Sequence, residues 1–87
     1  MSRQGDKALA MIRRAIQGIE TSSYPSSEFA LGMVEAMYAM GHIGEDDQYR
    51  STQDAFDAVR ARWEVIKREA AQRRFEEVLA REERRVA

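Results

Sequence analysis

The chain offers little chemistry for catalysis or metal binding. It has one histidine, His42, and no cysteine. His42 stands in the segment Gly41-His42-Ile43-Gly44, just ahead of Glu45-Asp46-Asp47, so the sharpest chemistry on offer is a carboxylate–histidine metal site. Such a site needs ligands that converge on one point, and consecutive acids in one turn do not converge. They also lack the alternating oxygen ligands and distal glutamate of a calcium loop of about 12 residues. A turn histidine followed by acids that offset a helix dipole is the better account. Ser22, Ser23, Ser26, Ser27 and Ser51 have no base nearby in sequence and stand at helix borders, where capping explains them. There is no glycine-rich phosphate loop, no His-Glu-x-x-His pair and no nucleophile elbow. The sequence therefore predicts a non-enzymatic protein with no catalytic residues, no metal, no cofactor and no small-molecule substrate.

Charge is the more informative chemistry. The formal net charge is -1, but its sign is segregated along the chain. Residues 1–19 carry four bases against Asp6 (+3), residues 20–57 eight acids against Arg50 (-7), and residues 58–87 nine bases against six acids (+3). This layout favours self-complementary packing or an acidic face for a basic partner. The candidate acidic face comprises Glu35, Glu45, Asp46, Asp47, Asp54 and Asp57. The competing reading is a small dimeric regulator that binds DNA or RNA through Arg13, Arg14, Arg60, Arg62, Lys67, Arg68, Arg73 and Arg74. The junction before Glu45 has helix-turn-helix proportions, with Gly41 in the turn. However, the would-be recognition helix opens on Glu45-Asp46-Asp47, which phosphates repel, so nucleic acid is not favoured.

Three helices must position these groups. The first is predicted over 6–20, with Asp6 as N-cap and Leu9, Ile12, Ile16 and Ile19 forming one apolar stripe. It ends before Tyr24-Pro25, because the residue preceding proline is pushed out of the α region. The second is predicted over 26–40, capped by Ser26 or Ser27, with a ridge of Phe29, Met33, Met37 and Met40 flanked by Val34 and Tyr38. The methionines read as core filler, although flexible thioethers also suit a docking surface. Gly32 invites close approach of another backbone, and Gly41 reads as the left-handed residue that ends the helix, with Ile43 folding back over it. The join to the next helix is then a tight antiparallel hairpin of a kind common to many helical proteins.

The third helix is predicted over 45–85. Tyr49, Phe56, Trp63 and Ala70 recur every seven residues, with Thr52, Val59 and Ile66 on the companion line, so a heptad seam is expected. Trp63 is expected to anchor the first two helices. Ser51-Thr52-Gln53-Asp54 loosely matches a capping box where a short helix could break, but the aromatic register favours continuity. Beyond residue 70 the apolar positions shift to Phe75, Val78, Leu79 and Val86, so the last third faces a different neighbour. Its Glu69–Arg73 and Glu77–Arg81 spacings suit ion pairs that support an exposed helix.

The expected fold is all-α: a single helical domain over 1–87, with two short helices packed on one long C-terminal helix that extends as a coiled-coil-like arm. At about 1.5 Å per residue that helix reaches roughly 60 Å, against roughly 20 Å for each of the others. A helix that outruns its domain needs company, so a homodimer through Phe75, Val78 and Leu79 is expected, together with an unidentified protein partner. The expected role is a regulator or inhibitor of a larger complex, one that handles nucleic acid or serves host defence. Small acidic helical proteins are used by phages to block host machinery, and a phage origin is inferred from size and charge alone. Arg13 and Arg14 interrupt the first apolar stretch too soon for a secretory signal, and no run approaches the roughly 18 apolar residues of a membrane span. A cytoplasmic location is the corresponding expectation.

Overall fold

The computed structural model describes residues 3–86. The chain forms α1 (Arg3–Glu20), α2 (Glu28–Ala39) and α3 (Glu45–Val86), and each helix packs on the other two. The fold is thus all-α, with two short helices laid against a much longer third.

Local chemistry sets the helix ends. α1 begins three residues earlier than its sequence suggests, so Asp6 lies in the first turn instead of at the N-cap, still near the positive end of the dipole. The α1–α2 connection is held by its serines: Ser22 Oγ accepts the Tyr24 N–H at 3.1 Å, and Ser26 Oγ accepts the Glu28 N–H at 3.3 Å. Ser27 occupies the N-cap position of α2 but makes no side-chain cap bond. At the other end of α2, Gly41 adopts φ +77°. There the Gly41 N–H donates to the Tyr38 carbonyl (3.0 Å) and the His42 N–H to the Met37 carbonyl (2.9 Å), the paired bonds of a Schellman ending. Ile43 then folds back into the core and is 6% exposed.

Two small clusters make up the core. Ala8, Ile12, Val34 and Ile43 form one, with Leu9, Ile16, Met33 and Met37 against them. Ile19, Ala30 and Ala55 form the other, with Ala15, Ile16, Leu31, Ala58 and Val59 around them. Ile16 joins the two. Met33 and Met37 are therefore core filler, whereas Phe29 and Met40, assigned to the same ridge, face solvent. No atom of another segment lies within 4 Å of where a Cβ on Gly32 would stand, so that glycine permits no close backbone approach within the subunit.

α3 is unbroken from Glu45 to Val86. The capping-box residues do not interrupt it. The Thr52 hydroxyl donates back to the Gln48 carbonyl at 2.8 Å, an intrahelical bond compatible with continuation. The heptad seam meets the body only in part: Val59 packs on the second core cluster and Thr52, Trp63 and Ile66 are half-buried, but the first two aromatics of the line are not. Tyr49 and Phe56 are exposed (70% and 43%), and the residues turned toward α1 and α2 are Ser51, Ala55, Ala58 and Arg62. These follow the 3.6-residue period of a straight helix, which drifts about 20° per heptad from a seven-residue beat. Side-chain size explains the choice of face. Ala30 and Ala55 are 1% and 0% exposed and let the helices approach closely, which Tyr49 and Phe56 at the same crossing would prevent.

The body stops near Ala70. Every described residue from 71 to 86 is exposed, although the segment remains helical. The molecule measures 68 × 17 × 16 Å, with a radius of gyration of 19.4 Å. A compact chain of this length would have a radius of about 12 Å. The accessible surface is 6940 Å², against about 5,200 Å² for a compact monomer of the same mass.

Candidate functional site

The short loop between α1 and α2 clamps α3 where the body ends. Arg62 Nε donates to the Ser22 carbonyl at 2.8 Å, and the Tyr24 ring meets Trp63 edge-on, with centroids 5.8 Å apart and planes at 76°. Pro25 beside Tyr24 is buried. Trp63 thus anchors the loop, and its edge-to-face partner is a tyrosine that the sequence pattern had marked only as a helix stop. The Tyr24–Trp63 pairing spans the fold and no local spacing announces it.

Beyond Ala70, α3 is an exposed helix. Phe75, Val78 and Leu79 are 59%, 52% and 47% exposed, and Val86 is 85% exposed. The residues that separate them are nearly all charged or amide side chains. Local interactions support the arm: Gln72 Nε2 bonds Glu76 Oε1 at 3.2 Å, Arg84 Nε bonds the Ala80 carbonyl at 3.3 Å, and Arg85 pairs with Glu82 at 3.7 Å. The ion pairs of α3 are all three residues apart, the others being Asp57–Arg60 (3.7 Å) and Glu64–Lys67 (3.9 Å). The four-residue spacings Glu69–Arg73 and Glu77–Arg81 do not close. The groups that do pair are largely solvent-exposed, so each is worth only a few tenths of a kcal/mol.

The candidate acidic residues divide among three places. Asp47, Asp54 and Asp57 line a groove of about 540 Å³ between α1 and α3, together with Glu20, Arg13 and Arg50 and with Ser51 and Ala58 at its base. Glu45 and Asp46 border a neighbouring depression along the first turns of α3, which also reaches Asp54. Glu35 lies on α2 and lines neither. The acids of the first turn sit where the helix dipole favours them, so part of this face is local stabilisation of α3.

The candidate arginines do not form one track. Arg13 lines the α1–α3 groove, whereas Arg14 lines a different groove, between α1 and α2. That second groove, also about 540 Å³, is mainly apolar and is bordered by Met11, Tyr24, Phe29 and Met33. Arg62 is half-buried and committed to the Ser22 carbonyl, and Arg60 and Lys67 each have a carboxylate partner. Arg68, Arg73 and Arg74 are exposed on the arm and its root.

His42 does not gather ligands: among the described residues no group of three His, Asp or Glu side chains is placed to hold a metal ion. No described helix is long and apolar enough to cross a membrane. No family model, curated protein or solved structure matches this chain.

Proposed function

We propose that this protein is a non-enzymatic protein–protein interaction module, a regulator or inhibitor that works by docking its helical surfaces onto a larger assembly. The observation that carries this reading is the arm: residues 71–86 stay helical and are exposed throughout, presenting Phe75, Val78 and Leu79 to solvent. Surplus surface points the same way. The chain exposes about 1,700 Å² more than a compact monomer of its mass, against about 800 Å² that each partner buries in a standard protein–protein interface. The arm supplies self-association, and the acidic groove with Asp47 and Asp54 supplies a site for a basic protein partner. An inhibitor encoded by a phage fits this small, acidic, helical design.

Two sets of variants test the reading. Reversing charge at Asp46, Asp47 and Asp54 removes capture of a basic partner from nuclease-treated host lysate, and Arg60→Ala, Arg73→Ala and Arg74→Ala together leave it intact. The opposite pattern, with binding that needs nucleic acid and falls steeply with salt, would overturn the proposal in favour of a nucleic-acid regulator.

A further inference from the structure

The exposed apolar residues of α3 do not stop at the arm. At about 100° of turn per residue, Phe56, Tyr49, Val78 and Phe75 fall within an arc of about 100° on the helix surface. The centre of that arc lies roughly opposite the line through Ser51, Ala55, Ala58 and Arg62 that holds α1 and α2. α3 therefore has two apolar aspects on opposite sides. One is covered by its own body; the other is bare toward the two ends of the helix, with Asp57, Arg60, Glu64 and Lys67 on the same side between Phe56 and Phe75.

From this we infer that two copies pair through α3 in antiparallel orientation, so that the arm of each lies on the back of the other's N-terminal half. The inference rests on the self-association proposed above and fixes its geometry. Charge selects the direction. Residues 45–57 carry five acids against Arg50, a balance of -4, and residues 67–86 carry seven bases against five acids, a balance of +2. Parallel pairing sets like against like at both ends, whereas antiparallel pairing sets the acidic half against the basic half twice and also opposes the helix dipoles.

The register agrees independently. Placing Phe56 opposite Phe75 puts the twofold axis between residues 65 and 66, with Tyr49 about one turn from the Val78 of the other copy. The midpoint of Glu45–Val86 falls in the same place, so this register overlaps α3 with itself from end to end. Near the axis, Glu64 lies 3.9 Å from Lys67 of its own helix, so a base stands beside the carboxylate where the two copies cross. The partner's arm lies away from α1 and α2, so the groove containing Asp47 and Asp54 stays open on both subunits. The dimer then presents two acidic grooves about 40 Å apart along its length.

Two distance measurements on the full chain decide the geometry. The sequence has no cysteine, so Ala61→Cys and Ala80→Cys each accept one spin label per subunit, and both positions are exposed. Antiparallel pairing through the middle of α3 predicts a separation of about 20 Å for labels at 61 and about 45 Å for labels at 80. Short distances at both sites would mean a parallel dimer, and a short distance at 80 with a long one at 61 would mean arms crossed on each other alone. Either result overturns the antiparallel register and leaves self-association standing. Absence of dipolar coupling at both sites, with the mass of one subunit by light scattering at the same concentration, would overturn self-association as well.

Discussion

Replacing Phe75 with Ala separates what the arm does for its own subunit from what it does for a neighbour. The side chain is 59% exposed and lies beyond Ala70, the last half-buried residue of α3. Its loss creates no cavity within the subunit, and alanine is the better helix former, so the body should keep its thermal unfolding midpoint when diluted to the monomer. The proposed dimer should respond very differently. A phenylalanine side chain offers about 150–250 Å², so the exposed portion leaves about 100 Å² for a partner to cover. At about 25 cal/mol per Å², that is about 2.5 kcal/mol per copy, of which the alanine methyl retains a small part. Two copies per dimer lose about 4 kcal/mol together, a rise in dissociation constant of about a thousandfold. Sedimentation equilibrium over a dilution series measures the constant, and circular dichroism on the same samples follows helicity. An unchanged dissociation constant would refute the reasoning, because it would show Phe75 as bare in the assembly as in the subunit. A fall in the unfolding midpoint of the dilute monomer would refute it from the other side, by showing that the arm folds back on the body.

The body yields sharper expectations. Ile12, 1% exposed in the first core cluster, should cost about 2–5 kcal/mol as Ala, enough to unfold a large share of so small a domain at 37 °C, as read by urea denaturation. Ala55→Leu should cost about 1–3 kcal/mol by forcing α3 off α1 and α2 at their closest approach, whereas Ala80→Leu on the arm should be neutral in the dilute monomer. Gly41→Ala should cost about 1–2 kcal/mol through backbone strain alone, since φ is +77° and nothing lies within 4 Å of the added methyl; Gly41→Asn should cost less. Gly32→Ala, helical and likewise uncrowded, should instead raise stability by about 0.5–1 kcal/mol in a thermal melt.

Much of this architecture was legible because it is written in local rules. The glycine ending of α2, the return of Ile43 over it and the acidic start of α3 each depend on residues within one or two turns of one another. The excess length of α3 follows from counting. The packing face of α3 was not legible, for a physical reason. A search for large apolar side chains finds Tyr49, Phe56 and Trp63, whereas close helix packing selects small ones, and Ser51, Ala55 and Ala58 carry little hydrophobic signal. The Arg62–Ser22 bond links residues forty positions apart, so no window along the chain contains it. For the acidic set, the charge total was right, but spatial grouping needed α1: the groove joins Asp47, Asp54 and Asp57 to Arg13 and Glu20 and leaves Glu35 outside.

The uncovered part of the aromatic line bears directly on function. Because the small-residue line took the body, the aromatic line was left uncovered, and Tyr49 and Phe56 became surface. Aromatics this exposed on a helix already held by its other face leave much of their apolar surface in water, where hydration is unfavourable. The arm poses the same problem from the opposite end. Its helix is supported by weak local pairs, each worth a few tenths of a kcal/mol, against about 1–2 kcal/mol per residue of backbone ordering, and sixteen residues are barely enough for an isolated helix in water. One contact partner relieves both. Laid on the acidic half of a second copy, the arm gains an apolar strip and opposite charge, and Tyr49 and Phe56 gain cover. On this argument arm order and aromatic burial are a single equilibrium. Dilution should release them together, so that hydrogen exchange across residues 71–86 and solvent exposure of Tyr49 rise at the same concentration. If the arm exchanged at one concentration and Tyr49 became exposed at another, the two surfaces would have separate partners and the coupling would be lost.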